Sequence, residues 1–261
     1  MTWVKELLRK TWLSMVSVAV FLFAWHLFTD VTHLIGPNYL PSPLQVVEAA
    51  IWWTVTPMAG STMFGHLWVS MQLVLFSFLI AVAIGVPLGI FMGWFGILDR
   101  ILNPIFQIIR PIPPLAWIPL AIVWFGIGVG SKIFVIFLAA FVPSLINAYT
   151  GVKTIEPLML DVAKTFGLKQ KSVLLKVVVP HSLPYIFAGV RLSLISSWMC
   201  LVAAELVAAT AGLGYSIQIA RRTLDPPIIL VAMVLIGLTG MVMIKLAGRL
   251  ERKLCPWIDN K

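Results

Sequence analysis

Stretches of about 20 residues without a charged side chain recur along this chain, and they constrain its fold more than any other feature. Of the 261 residues, 60% are hydrophobic and 11% are charged, whereas charged residues make up about 25% of an ordinary soluble domain. A helix of such length crosses a bilayer and satisfies its own backbone hydrogen bonds. The sequence therefore predicts an all-α membrane protein, with a single membrane domain over residues 1–261.

Six long apolar stretches are interpreted as membrane-spanning helices; the fifth alone has charged residues in its interior. Outside them lie an N-terminal segment, residues 1–11, a long polar loop, residues 153–182, and a C-terminal tail, residues 245–261. A short amphipathic helix that starts near Leu44 is predicted to lie at the membrane interface. The predicted spans are residues 12–29, 67–95, 110–128, 133–152, 183–206 and 228–244.

The basic residues are sorted across these six spans. Of the 19 Lys and Arg residues, 16 fall on the side that holds both termini and the long polar loop. The other three are Lys132, Arg221 and Arg222. Because membrane proteins keep their excess of Lys and Arg in cytoplasmic loops, both termini are predicted to be cytoplasmic. Topology then explains the net charge of +9, and we favour it over binding to nucleic acid.

The second predicted span carries a stripe of small residues. Gly85, Gly89 and Gly93 recur at intervals of four, so they share one helix face and let another helix approach closely. We interpret the stripe as packing within the chain, in preference to a seam between two copies.

The third predicted span begins with four prolines in RPIPPLAWIPL, residues 110–120. An interior proline removes a backbone hydrogen bond and kinks a helix. Irregular backbone at membrane depth is tolerated only beside protein or a water-filled cavity. The segment is therefore a candidate pore wall, with Pro113, Pro114 and Trp117 as its candidate residues, and a kinked helix near the membrane surface is an equal alternative.

Two ionisable residues lie within the fifth predicted span and are candidate pore or gate residues. Glu205 lies toward the outer end, where it either pairs with one of the three outer cations in a gate or is simply exposed at the headgroups. Arg191 lies about two turns inside the other end. We interpret it as reaching the cytoplasmic surface along its long stem, in preference to forming an anion site in the pore.

No pattern in the sequence indicates a catalytic residue, a metal site or an ATP site. The four histidines lie on different segments without the spacing of metal ligands. The glycine-rich residues 126–132 do not match a phosphate-binding loop, because Ser131 precedes Lys132 where that loop has glycine. Any ATP and Mg²⁺ are therefore expected on a separate chain.

The long polar loop is predicted to contain two short helices. The first covers residues 156–166, the second covers residues 169–179, and Gly167 reverses the chain between them in a left-handed conformation. Pro180 is predicted to end the second helix. Such a helix pair either docks into a partner's groove or rests on anionic lipid.

This loop resembles the cytoplasmic loop of the permease subunits of bacterial ATP-binding-cassette (ABC) importers. Their signature is Glu-Ala-Ala, three residues, Gly, nine residues, Ile-x-Leu-Pro. The matching positions are Asp161, Ala163, Gly167, Val177 and Pro180. The departures, which keep charge sign and apolar character, are Asp161 for Glu, Val162 for Ala, Val177 for Ile and Val179 for Leu.

The resemblance implies the type I ABC importer permease fold with cytoplasmic coupling helices. It also implies that residues 156–180 dock onto an ATPase subunit and pass its ATP-driven closure to the membrane helices. The coupling residues would be Glu156, Asp161, Ala163, Lys164, Gly167, Lys169, Lys171, Val177 and Pro180.

Three further segments, residues 38–47, 110–128 and 201–220, look like permeases for taurine, aliphatic sulfonates and nitrate. The implied partners are a second copy of the chain, a cytoplasmic ATPase dimer, a periplasmic or extracellular solute-binding protein, and lipid of the bacterial inner membrane. One rival is a stand-alone secondary transporter, which predicts inverted repeats with paired broken helices. Another is a membrane enzyme, which needs His, Asp or Glu clustered at one depth. The solute itself is left open.

Overall fold

The computed structural model describes residues 2–32, 36 and 39–255. Helices make up about 85% of the structure, and the described residues form no strand, which confirms the predicted all-α class. The chain divides into two compact units. One comprises Met1–Gly65 and Ser216–Leu235, and the other comprises His66–Tyr215 and Ile236–Lys261. The single domain over residues 1–261 stays a prediction.

The first unit contains two helices near the start of the chain. Helix α1 covers Thr2–His26 and continues as a π-helical turn over Leu27–Val31. Helix α2 covers Pro43–Val55 and begins at a capping box in which Ser42 and Gln45 each bond the other's backbone N–H. Because these bonds satisfy donors that a helix start otherwise leaves unpaired, they explain the predicted start near Leu44.

Four helices of the described chain are long and apolar enough to cross a membrane, and they coincide with the second, fourth, fifth and sixth predicted spans. Helix α3 covers Met63–Trp94, and α6 covers Val129–Lys153. The fifth span lies within a continuous helix, Gln170–Val207. Helix α11, Pro226–Leu254, runs ten residues past the predicted end of the sixth span, Ile244.

The other two predicted spans contain shorter helices. The third span is helical over Pro114–Phe125, and this segment is bent by 86° from the preceding helix α4, Gly96–Ile109. That segment is a 3-10 turn, Pro114–Trp117, followed by α5, Ile118–Phe125. The first predicted span matches the apolar helix Met15–Val31. Counting the bent pair as one span gives five, so the number six stays a prediction at these two segments.

The glycine stripe of α3 packs against α6. A Cβ atom on Gly85 or Gly89 would overlap α6, and on Gly93 it would lie 2.6 Å from the Cβ of Val152. These contacts confirm that the stripe serves packing within the chain.

Candidate functional site

The polar loop folds as two helical segments joined at Gly167. Helix α7 covers Pro157–Thr165, and Gly167 has a φ of +68°. The N–H of Gly167 donates to the carbonyl of Lys164, and the N–H of Leu168 donates to that of Ala163. This pair of bonds is a Schellman motif, which needs a left-handed residue at the glycine's position. The predicted reversal at Gly167 is therefore confirmed.

The inner side of this loop packs against the end of α6. Ala163 is 5% exposed and belongs to a buried cluster with Val152, Ile155, Val173 and Val178. Val177 packs against the same cluster. A small side chain at position 163 lets α7 lie close to its neighbours, so the loop is a packed element and not a loose connection.

The outer side of α7 carries an exposed apolar stripe. Leu158, Val162 and Phe166 recur every four residues and therefore share a face, and their exposed fractions are 69%, 47% and 80%. Asp161 and Lys164 form an exposed ion pair beside it at 3.0 Å. Sequence reasoning missed the stripe, although its spacing of four was visible.

The prediction that Pro180 ends the second helix is wrong. Helix α8, Gln170–Val173, leads through a π-helical turn, Leu174–Val178, directly into α9, Val179–Ala208. The N–H of Val179 donates to the carbonyl of Leu174, five residues back. This wider turn accommodates the proline, whose ring would clash with the preceding turn of an α-helix. The remaining basic candidates of the loop, Lys169 and Lys171, are exposed.

A cavity of about 470 Å³ lies beside the broken helix. Three elements line it: the segment that links α4 to α5, helix α6 and helix α9. Its walls are mostly apolar, and its polar lining residues are Arg110, Asn147 and Ser196. Pro114 contributes to the wall, whereas Pro113, Trp117, Arg191 and Glu205 are not among the lining residues.

Glu205 is buried, so the prediction that it is simply exposed is wrong. Its side chain is 1% exposed. The hydroxyl of Ser70 donates to one carboxylate oxygen, and the backbone N–H of Gly214 donates to the other, each at 2.8 Å. Ser70 in turn accepts from the N–H of Leu213 at 2.9 Å. The carboxylate thus holds α3 and the start of α10, Leu213–Arg222, to the end of α9.

A glycine and a histidine complete this buried polar cluster. Gly212 has a φ of +117°, and a Cβ there would overlap the carboxylate of Glu205. The N–H of Gly212 donates to the Nδ1 atom of His66 at 3.1 Å, and His66 is fully buried. Sequence reasoning missed His66 and Ser70, because they lie well over a hundred residues from their partners.

Lys132 is also buried, with 4% of its surface exposed. Lys132 and Glu205 form no ion pair among those of the described residues. A direct pairing of Glu205 with Lys132 is therefore not found.

Arg191 forms an ion pair with Glu251 of α11. Its side chain is 43% exposed, and one of its terminal nitrogens would lie 3.8 Å from a Cβ on Gly248. Because the last helix holds its guanidinium, the structure agrees better with Arg191 reaching toward the cytoplasmic surface than with an anion site in the cavity.

A polar cluster joins α4 to the end of α6. The carboxylate of Asp99 forms an ion pair with Lys153 at 2.7 Å and accepts hydrogen bonds from Tyr149 and Asn103. The hydrogen bond from Lys153 is the main cause that lowers the pKa of Asp99. In the described part of the chain, no group of His, Cys, Asp or Glu is arranged to hold a metal.

The long apolar helices and the broken segment beside a cavity define a polytopic membrane protein. Residues 85–259 match the family described as binding-protein-dependent transport system inner membrane component. The chain belongs to this family.

The relatives match along nearly the whole chain. A "probable ABC transporter permease protein" of Brucella abortus is 40% identical and covers 95% of this chain and 96% of its own. The taurine transport system permease protein of Escherichia coli is 37% identical, with coverage of 98% and 93%. Permeases named for nitrate import in Leptolyngbya laminosa and for aliphatic sulfonates in Bacillus subtilis are each 31% identical, with coverage of 97% of this chain and 91% and 90% of their own.

The fold has a solved counterpart. A chain of the methionine ABC transporter MetNI, in an inward-facing conformation, superposes with a TM-score of 0.64 at 19% identity. The match covers 79% of this chain and 98% of the other. It confirms the type I ABC importer permease fold expected from the loop signature.

Proposed function

We propose that this chain forms the translocation pathway of an ATP-driven importer for a small solute, a sulfonate such as taurine, or nitrate or a related molecule. The relatives named for these solutes support the proposal because they match over nearly the full length of the chain. The solutes named share a negative charge, either alone or beside an amine.

Coupling to the ATPase is proposed for residues 156–180. The observation that carries it is the exposed apolar stripe of α7, because contiguous exposed apolar surface marks sites of interaction. The Schellman motif at Gly167 and the buried Ala163 hold this stripe rigidly on the end of α6. A rigid, apolar, lysine-flanked surface suits a groove on a partner protein.

The pathway is proposed to lie between two copies of the chain. The cavity beside the broken helix supports this assignment, since it is lined by the third, fourth and fifth predicted spans and contains Arg110. ATP binding would close the ATPase dimer and pull the two permeases outward-open, and hydrolysis would reset them. Pro114 would line the pathway, and Pro113 and Trp117 would shape the break. Glu205, near the outer end of the fifth span, would hold the turn after α9 in place.

The other partners follow from this assembly. A periplasmic or extracellular solute-binding protein would deliver the solute, and the ATPase subunits would bind ATP and Mg²⁺. Both termini would be cytoplasmic in the bacterial inner membrane, as the sorting of the basic residues indicates.

Co-purification and uptake test this function together. We expect Phe166→Asp to lower the ATPase recovered with the purified permease and to abolish ATP-driven uptake of radiolabelled taurine, sulfonate or nitrate. Leu224→Asp is the matched control, because Leu224 is a comparably exposed apolar residue, at 86%, outside the loop. Uptake that persists without any ATPase would overturn the proposal in favour of a secondary transporter.

A further inference from the structure

A groove with an excess of positive charge lies where α9 and α11 meet, apart from the cavity and the coupling loop. It encloses about 710 Å³. We call it the basic groove, and its charged lining residues are Arg191, Lys245, Arg249, Glu251 and Arg252.

The excess charge of the basic groove is not neutralised within the described chain. Its single carboxylate, Glu251, is engaged by Arg191. Lys245, Arg249 and Arg252 are exposed and form no ion pair with any residue that the structure describes. Among the described residues, three cations of the groove therefore have no acidic partner.

The three cations form one stripe of α11, and an apolar stripe runs beside it. Positions 245, 249 and 252 follow the i, i+4, i+7 spacing of one helix face. Leu246, Leu250 and Leu254 occupy the adjoining face, and their exposed fractions are 55%, 52% and 50%. The end of the last span thus pairs an apolar surface with a basic one.

We propose that the basic groove binds the headgroup of an acidic phospholipid while the adjoining leucines contact its acyl chains. Clustered Lys and Arg at the end of a membrane helix attract anionic headgroups. A free phosphate offers the same charge but no apolar part. An acidic segment of a soluble partner would leave the leucine stripe uncovered, so a lipid, which has both parts, fits this end of the helix better.

Lipid retention measures this binding directly. The permease is purified with its ATPase subunits, placed in nanodiscs of phosphatidylcholine and phosphatidylglycerol, and released for native mass spectrometry. We expect bound phosphatidylglycerol on the unmodified protein. The triple variant Lys245→Gln, Arg249→Gln, Arg252→Gln should retain phosphatidylglycerol at a level at least roughly tenfold lower.

Two neighbouring residues provide a matched pair of single variants. Arg252 lines the basic groove, whereas Lys253 follows it on the same helix and is not among the lining residues. Arg252→Gln should lower phosphatidylglycerol retention severalfold, and Lys253→Gln should leave it unchanged. Both variants remove one exposed positive charge, so only the groove distinguishes them.

Three results would overturn the proposal. Equal losses in Arg252→Gln and Lys253→Gln would indicate a general effect of surface charge. Displacement of the lipid by an equal concentration of inorganic phosphate would indicate a site for a free anion. Loss of the ATPase subunits from the triple variant, with lipid retention unchanged, would assign the groove to a protein partner.

Discussion

The carboxylate of Glu205 accepts a hydrogen bond from the backbone N–H of Gly214, nine residues further along the chain, at 2.8 Å. The bond closes the turn that leads out of α9, and the second carboxylate oxygen is taken by Ser70 of α3. A single buried side chain therefore fixes three helices. Unpaired buried donors are costly, so removal of this side chain should loosen the turn as a whole.

Glu205→Ala should destabilise the protein by about 1–3 kcal/mol, because it leaves buried donors at Ser70 and Gly214 without an acceptor. Glu205→Gln keeps one carbonyl acceptor and should cost less. Thermal unfolding of the detergent-solubilised permease measures both. Equal midpoints for the unmodified, Gln and Ala proteins would contradict the role assigned to the carboxylate.

Gly212→Ala should destabilise more than Gly60→Ala. Both glycines have positive φ, +117° and +89°, and each alanine carries a backbone penalty of about 1–2 kcal/mol. Only at Gly212 would the new Cβ also meet the carboxylate of Glu205, whereas nothing lies within 4 Å at Gly60. The difference in unfolding midpoints isolates the steric part, and equal shifts would contradict the close approach.

Gly167→Pro should abolish ATP-driven uptake while the protein still inserts into the membrane. Proline removes the N–H that bonds to Lys164 and cannot adopt a φ of +68°. Gly167→Ala, with open space around its Cβ, should cost about 1–2 kcal/mol and retain partial uptake. Full uptake by the proline variant would count against the coupling role of the loop.

Charge reversal at Lys171 tests the electrostatic part of the same surface. Lys171 is exposed and forms no ion pair within the described chain, so Lys171→Glu should leave folding intact and abolish uptake. Arg222→Glu, another exposed reversal outside the loop, is the control. An equal loss of uptake in both variants would point to net charge and not to docking.

Asp99 should make stability dependent on pH in the acidic range. Its pKa is lowered in the folded protein, mainly by the hydrogen bond from Lys153. The stabilisation is therefore complete above the ordinary value of 3.8 and is lost as the pH falls through the lower folded pKa. Unfolding midpoints of the unmodified protein and Asp99→Asn should differ at neutral pH and converge in acid. A constant difference would contradict this assignment.

Local signals predicted most of the fold. The long apolar stretches located the long helices, the glycine at position 167 located the reversal of the loop, and the spacing of Gly85, Gly89 and Gly93 located a close helix approach. Each depends on residues within a few turns of one another, so each is visible in the sequence.

The errors arose where distant residues meet. A proline such as Pro180 ordinarily ends a helix, but here a π-helical turn accommodates its ring. Packing of the loop against α6 favours the continuous helix. Simple exposure of Glu205 is the wrong alternative because its partners, Ser70 and the turn at Gly214, come together only in the folded chain. His66 gave no local signal at all.

The uninterrupted helix from Gln170 to Val207 has a mechanical consequence. Its 38 residues span about 57 Å at the usual rise, so the segment is a lever with the polar loop at one end and Glu205 near the other. A tilt of about 5° applied at Gln170 would displace the far end by about 5 Å if the lever stayed rigid. The carboxylate of Glu205, which holds the turn at Gly214, therefore lies at the end of this helix that a small rotation at Gln170 displaces most.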